Sequence, residues 1–254
     1  MPILCLDIGN THTHWGVLRG REVLEQGELG TAAMDPDQVR KWLGTFPVSG
    51  IALASVVPNA TRMALPILES SGLPFYQLNH ATIKGLGFDY PRPAEVGQDR
   101  LADCVGAQLV SGVPAVVIGM GTATTVDILT DKGYAGGIIA PGLGVMTKYL
   151  HERTALLPEL DPSTLLGGPA IGKSTVDAMR AGCALGFAGM IGALLDGVCA
   201  ELVRAGLPAP SVIVTGGAAI YLPVAWQARV RHEPHLTLIG LAEAHRRHFA
   251  HGKA

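Results

Sequence analysis

Short apolar runs separated by turn residues open the chain and predict strands. Residues 4–8 are apolar and are followed by Gly9-Asn10-Thr11, after which the apolar pattern resumes at residues 15–18. This order is typical of a strand, a tight turn and a second strand. Residues 51–57 form another apolar run, and residues 61–69 then have an apolar face at helical spacing. Strands and helices therefore begin to alternate early in the chain.

The second half of the chain repeats this opening. A helical pattern ends at Gly112-Val113-Pro114, just before the apolar residues 115–118. A Gly/Thr turn at residues 121–125 and a further apolar run follow, so the order of strand, turn and strand occurs twice. We therefore predict an α/β fold with two domains, residues 1–112 and residues 113–254.

The composition favours a compact globular protein. Apolar residues make up 48% of the 254 residues and charged residues 16%, which argues against disorder. The net charge of −2 provides no positive field for a polyanion, and the main basic cluster, Arg246, Arg247 and Lys253, is at the C-terminal end. We therefore expect no nucleic-acid partner.

The cysteines indicate a reducing compartment. Cys5, Cys104, Cys183 and Cys199 are widely spaced and form no CxxC or Cys/His ligand pattern, so we interpret them as buried thiols. The first residues carry no basic segment and soon reach an acid, Asp7, which argues against a signal peptide. We expect a cytoplasmic protein.

Two uncharged stretches bear on membrane insertion and on helix packing. Residues 104–126 are interrupted by Gly and Pro and lack the ~20 continuous apolar residues that span a bilayer, so we expect no transmembrane segment there. Residues 181–195 lie within a predicted long helix, residues 175–204, and carry glycines at three- and four-residue spacing. This spacing favours close helix packing or dimerisation.

The turn after the first strand has the composition of a phosphate site. In Asp7-Ile8-Gly9-Asn10-Thr11-His12-Thr13, glycine lets the backbone approach phosphate oxygens, threonine hydroxyls can donate to them, and the aspartate can hold a hydrated Mg²⁺. A hairpin turn that uses Gly and Asn only because they tolerate positive φ explains this segment equally well.

A second loop, Gly121-Thr122-Ala123-Thr124-Thr125, favours the phosphate-site interpretation over the simple hairpin turn. Its hydroxyl residues would be poor core material in a simple hairpin, and two such loops in one chain suggest a phosphate clamp. A third turn, Thr215-Gly216-Gly217-Ala218, accommodates a nucleoside against its backbone or caps a helix, and the two interpretations are equally well supported.

Two common nucleotide-binding motifs, the P-loop and the dinucleotide-binding GxGxxG, do not explain this sequence. Residues 167–174 satisfy GxxxxGK[ST], but no buried strand precedes them and Pro169 removes a backbone donor, so we expect no P-loop. No GxGxxG follows a strand, which argues against a dinucleotide enzyme.

The histidines do not predict a metal site. His12 and His14 alternate on the predicted hairpin, whereas His245, His248 and His251 indicate a solvated terminal helix or tail. Neither group forms a convergent ligand set.

Taken in order, the motifs resemble those of type III pantothenate kinases, members of the acetate-kinase, sugar-kinase, 70-kDa heat-shock protein and actin superfamily. The resemblance runs nearly end to end. It is carried by residues 7–13 (DIGNTHT), 97–100 (GQDR), 121–127 (GTATTVD), 136–142 (GGIIAPG) and 171–175 (IGKST), and by residues 54–58 and 215–217.

The resemblance implies a fold, an assembly and a reaction. The fold would be two ribonuclease-H-like domains of the actin-like ATPase type, with mixed sheets flanked by helices. The assembly would be a homodimer with active sites near its interface. The reaction would be ATP-dependent phosphorylation of pantothenate to 4'-phosphopantothenate, the first step of coenzyme A biosynthesis, with Mg²⁺ and a monovalent cation, K⁺ or NH₄⁺, as the expected metal ions.

The resemblance also implies roles for particular residues. Asp7 would hold Mg²⁺ through water, Asp99 would accept a proton, and Thr122 would contact phosphates. The ATP site would comprise Asp7, Ile8, Gly9, Asn10, Thr11, His12, Thr13, His14 and Thr122. The pantothenate site would comprise Tyr90, Gly97, Gln98, Asp99, Arg100 and Thr175.

A carboxylate at position 99 suits this reaction. The primary hydroxyl of pantothenate must align with the γ-phosphorus and lose its proton, so we expect Asp99 to orient it while Mg²⁺ and loop donors stabilise charge. Arg100 would offset the negative charge of the substrate. Without the family resemblance, an Asp99–Arg100 ion pair at the start of a surface helix would be the better explanation.

One position departs from the family. Its members usually have an aspartate, a ligand of the activating monovalent cation, where this chain has Gly119. Three outcomes stay open: the enzyme works without the cation, another group replaces the ligand, or activity is impaired. Because Asp7, Asp99, Thr122 and Thr175 are present, we expect a working kinase with altered cation dependence.

Two other functions stay open. A non-catalytic accessory protein on the same fold would bind nucleotide or pantothenate without turnover, and Gly119 is the feature that supports this alternative. A phosphotransferase or phosphatase for a different small molecule is the other, because a fold does not determine a substrate. The matches at Tyr90, Asp99 and Thr175 argue against the latter.

Overall fold

A computed structural model describes residues 1–165, 167–222 and 224–250, and the chain divides into two compact units. The first unit contains residues 1–112, 129–136 and 235–250, and the second contains residues 113–128 and 137–234. Each unit is built around one five-stranded sheet.

Strands and helices alternate along the described chain. The strands are β1 (Ile3–Ile8), β2 (His12–Arg19), β3 (Glu22–Gly30), β4 (Ile51–Ser55), β5 (Phe75–Gln77), β6 (Ala115–Met120), β7 (Ala123–Thr130), β8 (Gly133–Pro141), β9 (Ser211–Thr215) and β10 (Arg231–His232). The helices are α1 (Pro36–Thr45), α2 (Pro58–Glu69), α3 (Gln98–Ser111), α4 (Leu143–Glu152), α5 (Thr175–Arg204), α6 (Val224–Gln227) and α7 (Leu236–Ala250). These elements confirm the predicted α/β class.

The sheet of the first unit has the strand order β3-β2-β1-β4-β5. β1 is its central strand and pairs antiparallel with β2 and parallel with β4. Every residue of β1 and of β4 is buried. Strands covered on both faces need apolar residues at every position, which is why both segments appear in the sequence as continuous apolar runs.

Helices α3 and α7 pack closely in the first unit, although they are far apart in the sequence. A Cβ atom at Gly106 would lie 2.7 Å from the carbonyl oxygen of Leu236, and one at Gly240 would clash with the carbonyl of Ala102. The Thr237 hydroxyl donates to Asp103 Oδ1 at 2.6 Å. Glycine at both contacts lets the two helix backbones approach.

Because α7 packs on α3, the two units are not the two consecutive halves, residues 1–112 and 113–254, that the sequence predicted. The break near Gly112 and Val113 coincides with a unit boundary, but residues 235–250 belong to the first unit. The reason is the close contact of α7 with α3, which local sequence patterns do not reveal. The division into two ribonuclease-H-like domains at that break stays a prediction.

The sheet of the second unit has the strand order β10-β9-β6-β7-β8. β6 pairs parallel with β9, and β9 pairs parallel with β10. The β7 and β8 strands are joined by a short turn, and the tip of this hairpin, residues 129–136, is counted with the first unit. The predicted turn at residues 121–125 is shorter than expected, because Thr124 and Thr125 already belong to β7.

Helix α5 has the predicted bounds and is the longest helix. The Ser174 hydroxyl accepts a hydrogen bond from the amide of Asp177 at 3.1 Å and so caps its first turn. One stripe at four-residue spacing faces the core: Met179, Cys183, Phe187, Ile191 and Leu195. Among the described helices, α5 alone is long and apolar enough to span a membrane by length and composition, criteria that core helices also meet.

Several smaller expectations are corrected. His245 is buried on α7 rather than solvated, and His248 is half-buried. Arg246 and Arg247 both pair with Glu243, at 2.7 and 2.8 Å, so they do not form a free basic cluster. His251 and Lys253 lie outside the described residues.

Cys5, Cys104 and Cys183 are buried thiols as expected, but Cys199 is only half-buried.

Candidate active site

Asp7, at the end of β1, is buried and electrostatically strained. Its side chain is 9% exposed, and Oδ1 has no hydrogen-bond partner among the described residues. Burial, together with the smaller effect of the charge of Asp99, raises the pKa of this carboxyl from 3.8 to about 8. A buried carboxylate oxygen without a partner is suited to bind a cation or its water shell.

The turn after Asp7 brings two backbone segments together. The Gly9 amide donates to the carbonyl of His12 at 3.0 Å, and a Cβ at Gly9 would lie 2.9 Å from that same carbonyl oxygen. Glycine is therefore required by close approach. Asn10, Thr11 and His12 are exposed at the tip of the turn, where their side chains and amides can reach a ligand.

Two members of the predicted ATP segment face the core instead. Ile8 is fully buried. The Thr13 hydroxyl lies 3.0 Å from the hydroxyl of Thr31, which in turn donates to the carbonyl of Gly9 at 2.6 Å. These hydrogen bonds stabilise the turn on its buried side. Because the side chains of Ile8 and Thr13 are buried, these residues can contact a nucleotide only through their backbone. His14 is exposed and lies 3.4 Å from Glu28.

The start of α3 is attached to the end of β4, beside β1. The Gln98 side-chain oxygen accepts a hydrogen bond from the Ser55 amide at 2.9 Å, and Ser55 is opposite Ile8 in the parallel pairing of β4 with β1. This attachment places Asp99, in the first turn of α3, near enough to Asp7 to raise its pKa. Gly97 precedes the helix, and a Cβ there would lie 2.5 Å from Asp99 Oδ1.

Arg100 and Tyr90 are joined through a residue that the sequence did not suggest, Tyr134. An Arg100 Nη2 group donates to the Tyr134 hydroxyl at 2.8 Å, and the guanidinium carbon lies 5.9 Å from the ring centroid. Tyr90 packs edge-on against the same ring at 5.4 Å. Two of the predicted substrate residues therefore share one aromatic partner.

The Gly/Thr loop lies in the second unit, between β6 and β7. The Gly121 amide donates to the carbonyl of Ala123 at 3.1 Å, and Thr122 is exposed at the tip. A Cβ at Gly142 would clash with the carbonyl oxygens of Gly121 and Thr122, so the end of β8 lies directly against this turn. Thr122 is therefore at the surface of the second unit, at the tip of a turn whose backbone amides are of the kind that bind anions.

Gly119 and the third glycine turn are neighbours in the second unit. Gly119 is opposite Thr215 in the pairing of β6 with β9. Gly216 has a φ of +93°, and a Cβ there would lie 2.6 Å from the Met120 carbonyl oxygen. Gly216 caps the short 3-10 helix Gly217–Tyr221, in agreement with the capping interpretation. Position 119 itself has no side chain that could act as a ligand.

Thr175 and the Walker-like stretch, residues 167–174 with the pattern GxxxxGK[ST], also belong to the second unit. Thr175 is the exposed first residue of α5. Within the described residues, the element before Gly172 and Lys173 is a 3-10 helix, Pro162–Thr164, rather than a strand. A P-loop requires a strand that ends in the loop, so the Walker-like stretch lacks its structural context.

Among the described residues there is no group of three or more His, Cys, Asp or Glu side chains that could hold a metal ion alone. Mg²⁺ in nucleotide sites is typically held by one or two carboxylates together with phosphate and water. Asp7, with its orphaned oxygen, and nearby Asp99 fit that mode of binding.

Sequence reasoning missed Tyr134 and the role of Gly142. Tyr134 is the one aromatic residue of a glycine-rich turn, Lys132-Gly133-Tyr134-Ala135-Gly136, which was the available signal. Gly142 ends a motif that supported the family resemblance, but its contact with the Gly/Thr loop depends on how β8 returns along β7.

Replacing Asp7 tests whether its buried carboxylate destabilises the folded protein. Between about pH 4 and pH 8 the folded chain keeps a proton at Asp7 that the unfolded chain has lost, so this group makes stability fall as pH rises. An Asp7→Asn variant cannot ionise, and we expect its metal-free melting temperature to exceed that of the wild type by about 2–5 °C at pH 8.5, with a smaller difference at pH 5. Differential scanning fluorimetry measures both values.

The exposed residue Asp131 provides the control. An Asp131→Asn variant should leave the melting temperature unchanged at both pH values. A lower melting temperature for Asp7→Asn than for the wild type at pH 8.5 would contradict the assignment of strain to Asp7.

Comparison with known proteins identifies the family. A model of type III pantothenate kinase matches residues 3–196. The chain is 38% identical over 223 residues to the type III pantothenate kinase of Methylacidiphilum infernorum, covering 85% of this chain and 78% of that protein. It is 37% identical over 246 residues to that of Akkermansia muciniphila, covering 95% and 97%.

Solved structures agree with the fold at low sequence identity. Component A of the (R)-2-hydroxyglutaryl-CoA dehydratase from Acidaminococcus fermentans has a TM-score of 0.56 at 13% identity, covering 98% of this chain and 99% of that one. The ROK hexokinase from Thermus thermophilus has a TM-score of 0.52 at 12% identity, covering 96% and 98%. The chain thus shares its fold with these two proteins, and it belongs to the type III pantothenate kinase family.

Proposed function

We propose that this chain catalyses the ATP-dependent phosphorylation of pantothenate to 4'-phosphopantothenate, the first step of coenzyme A biosynthesis. The observation that carries this proposal is the pair of Asp7 and Asp99, which is built by β1, β4 and the start of α3. A buried, unpartnered carboxylate beside a second carboxylate is costly for folding alone. The pair is explained by a role in binding metal and substrate.

The roles of the residues follow from their exposure. Asn10, Thr11 and His12, with the amides of the same turn, would contact ATP. For Thr122 and the amides of its own loop we propose a contact with phosphate. Asp7 would hold Mg²⁺ through water, and the Mg²⁺ would neutralise charge on the phosphates.

Asp99 would act on the acceptor. Its carboxylate is in the N-terminal turn of α3, and its oxygens would accept a hydrogen bond from the primary hydroxyl of pantothenate. It would orient this hydroxyl for in-line attack and receive its proton as the bond to phosphorus forms. We also propose roles in substrate binding for Tyr90, Gly97, Gln98, Arg100 and Thr175.

The accessory-protein alternative has no supporting observation beyond Gly119. Asp7, Asp99 and the exposed Thr122 are all present in this chain, which supports the proposal of a working kinase. We also infer a cytoplasmic location, because the described cysteines are free thiols and the substrates are intracellular metabolites.

Asp99→Asn is the direct test of catalysis. We expect pantothenate-dependent ADP release to fall by about 10²- to 10⁴-fold in kcat, because the amide cannot accept the proton. A coupled assay with Mg²⁺-ATP measures the rate. Asp37→Asn is the matched control, since Asp37 is also in the first turn of a helix but is 90% exposed and pairs with Arg40. Turnover of Asp99→Asn at the rate of the control would refute the role, and no turnover by the wild type would refute the function.

Gly119 motivates a proposal about the monovalent cation. Glycine cannot supply a carboxylate ligand, and the hydroxyl of Thr215 on the neighbouring strand is uncharged, so a K⁺ or NH₄⁺ ion would be held more weakly than by an aspartate. We infer that this enzyme has a reduced dependence on monovalent cations.

Restoring the missing ligand tests this inference. We expect turnover of the wild type to change less than about twofold between Na⁺-free buffer with and without 100 mM K⁺, and we expect Gly119→Asp to acquire activation by K⁺ of about fivefold or more. Gly119→Asn is the matched control, because it adds similar volume without the charge. Strong activation of the wild type by K⁺ would overturn the proposal.

The exposed face of α5 supports a homodimer. Leu185 is 58% exposed, and Cβ atoms built at Gly182, Gly186 and Gly189 meet nothing within 4 Å. Apolar residues beside a row of glycines suit close packing against a helix of a second copy. Such a contact also accounts for the apolar character of α5 without a membrane.

A charge on this face should disrupt the dimer. We expect Leu185→Glu to elute as a monomer in size-exclusion chromatography with light scattering, because dimerisation would bury the carboxylate without a partner. Ile220→Glu, at a site that is 59% exposed elsewhere in the second unit, should remain dimeric. A dimer formed equally by both variants would place the interface away from α5.

A further inference from the structure

His12 and His14 lie side by side on strand β2. They are two residues apart in the strand, and side chains at this spacing point to the same face of a sheet. Both are exposed, whereas Thr13 between them is fully buried. Their ring centroids are 6.3 Å apart, with an angle of 42° between the ring planes. The strand therefore brings two imidazole rings together at the surface of the first unit.

The separation of the two rings suits a shared metal ion. Zn²⁺ binds an imidazole nitrogen at about 2.0–2.1 Å, so two rings that share one ion have their centroids about 5–6 Å apart. The observed separation is close to this range. The terminal torsion of a histidine side chain has broad energy minima, so rotation of the two exposed rings can bring one nitrogen of each to the ion.

Both rings have nitrogen atoms free to bind an ion. Among the described residues, the side chain of His12 has no hydrogen bond or ion pair. In His14 the Nδ1 atom lies 3.4 Å from Glu28 Oε2, and Glu28 is opposite His14 in the pairing of β2 with β3. The Nε2 atom of His14 and either nitrogen of His12 can therefore act as ligands.

Glu28 gives His14 the arrangement that metal-binding histidines usually have. A ligating imidazole commonly donates its other ring N–H to a carboxylate, which fixes the tautomer and makes the free nitrogen more basic. With Nδ1–H directed to Glu28, the Nε2 atom of His14 carries the lone pair. Glu28 is 64% exposed, so its negative charge also attracts a cation from solvent.

The neighbouring strand leaves room for an ion beside His12. Gly30 is opposite His12 in the pairing of β2 with β3, and a Cβ built at Gly30 meets nothing within 4 Å. Imidazole nitrogens favour Zn²⁺, Cu²⁺ and Ni²⁺, whereas Mg²⁺ requires oxygen ligands. Two imidazoles provide only part of a coordination shell, so water would complete it.

We propose that His12 and His14 form a two-histidine site for a borderline-soft divalent transition-metal ion such as Zn²⁺, and that its occupancy inhibits the enzyme. His14 is opposite Asp7 in the pairing of β1 with β2, so the site is beside the carboxylate to which we assign Mg²⁺. An ion on the two rings would take phosphate oxygens into its open positions and draw them away from Mg²⁺. The inhibition rests on the proposed function, whereas the binding site does not.

Zinc binding to the tag-free, ATP-free protein is the direct test. In a titration against a chromophoric chelator at about pH 7.5, where imidazole is mostly neutral, we expect His12→Gln and His14→Gln each to raise the dissociation constant by about tenfold or more, because each removes one of two ligands. Glu28→Gln should raise it by about three- to tenfold. His80→Gln removes another exposed histidine of the first unit and is the matched control, which should bind zinc as the wild type does.

The affinities decide whether the site exists. Equal zinc affinity in the wild type, His12→Gln and His14→Gln would overturn it, and so would an equal loss of affinity in His80→Gln. Should one of the two variants fail to fold by circular dichroism, the other decides, because the loss of either ring must weaken binding.

Inhibition is measured with free Zn²⁺ held by a metal buffer at about ten times the dissociation constant. We expect pantothenate-dependent ADP release by the wild type to fall by about fivefold or more. The double variant His12→Gln/His14→Gln, compared with its own zinc-free rate, should change by less than about twofold. Zinc binding without a fall in turnover would overturn the inhibitory role. No turnover by the zinc-free wild type would refute the proposed function, and the binding titration would still decide the site.

Discussion

The buried carboxylate of Asp7 is the constraint on which the site of the first unit depends. β1 is covered on both faces and lies between β2 and β4, so the polar residue near its end cannot turn freely to solvent. Its oxygen has no described partner, and its pKa is about 8 beside Asp99. Such strain is retained where function requires it. Binding of Mg²⁺ together with ATP would relieve it, and this links the stability of the protein to its substrates.

In each unit, a glycine allows two backbone segments to approach closely at a turn. In the first, Gly9 allows the backbone to close on His12; in the second, Gly142 allows the end of β8 to lie against Thr122. In both turns the hydroxyl or amide side chains at the tip are exposed, while threonines just beyond it, Thr13 and Thr124, are buried. The buried hydroxyls support the turn, and the exposed groups are available to phosphate.

The hairpin tip that carries Tyr134, a residue outside every recognised motif, contacts residues of two predicted site segments. Its backbone is fixed by Gly87 and Gly133, and its side chain supports Arg100 and Tyr90. The residues of the resemblance thus depend on a neighbour that is remote in sequence and that the motifs do not include.

The sequence by itself determined the α/β class, the bounds of α5, the positions of β1, β4, β6 and β9, and the family. Strands covered on both faces need continuous apolar runs, and the turns between them need Gly and Thr, so local patterns carry this information. Only the tertiary structure decided that α7 packs on α3, that Asp7 lies unpartnered near Asp99, and that Tyr134 meets Arg100. These are contacts between residues far apart along the chain, which depend on how sheets and helices pack and leave no periodic signal in the sequence.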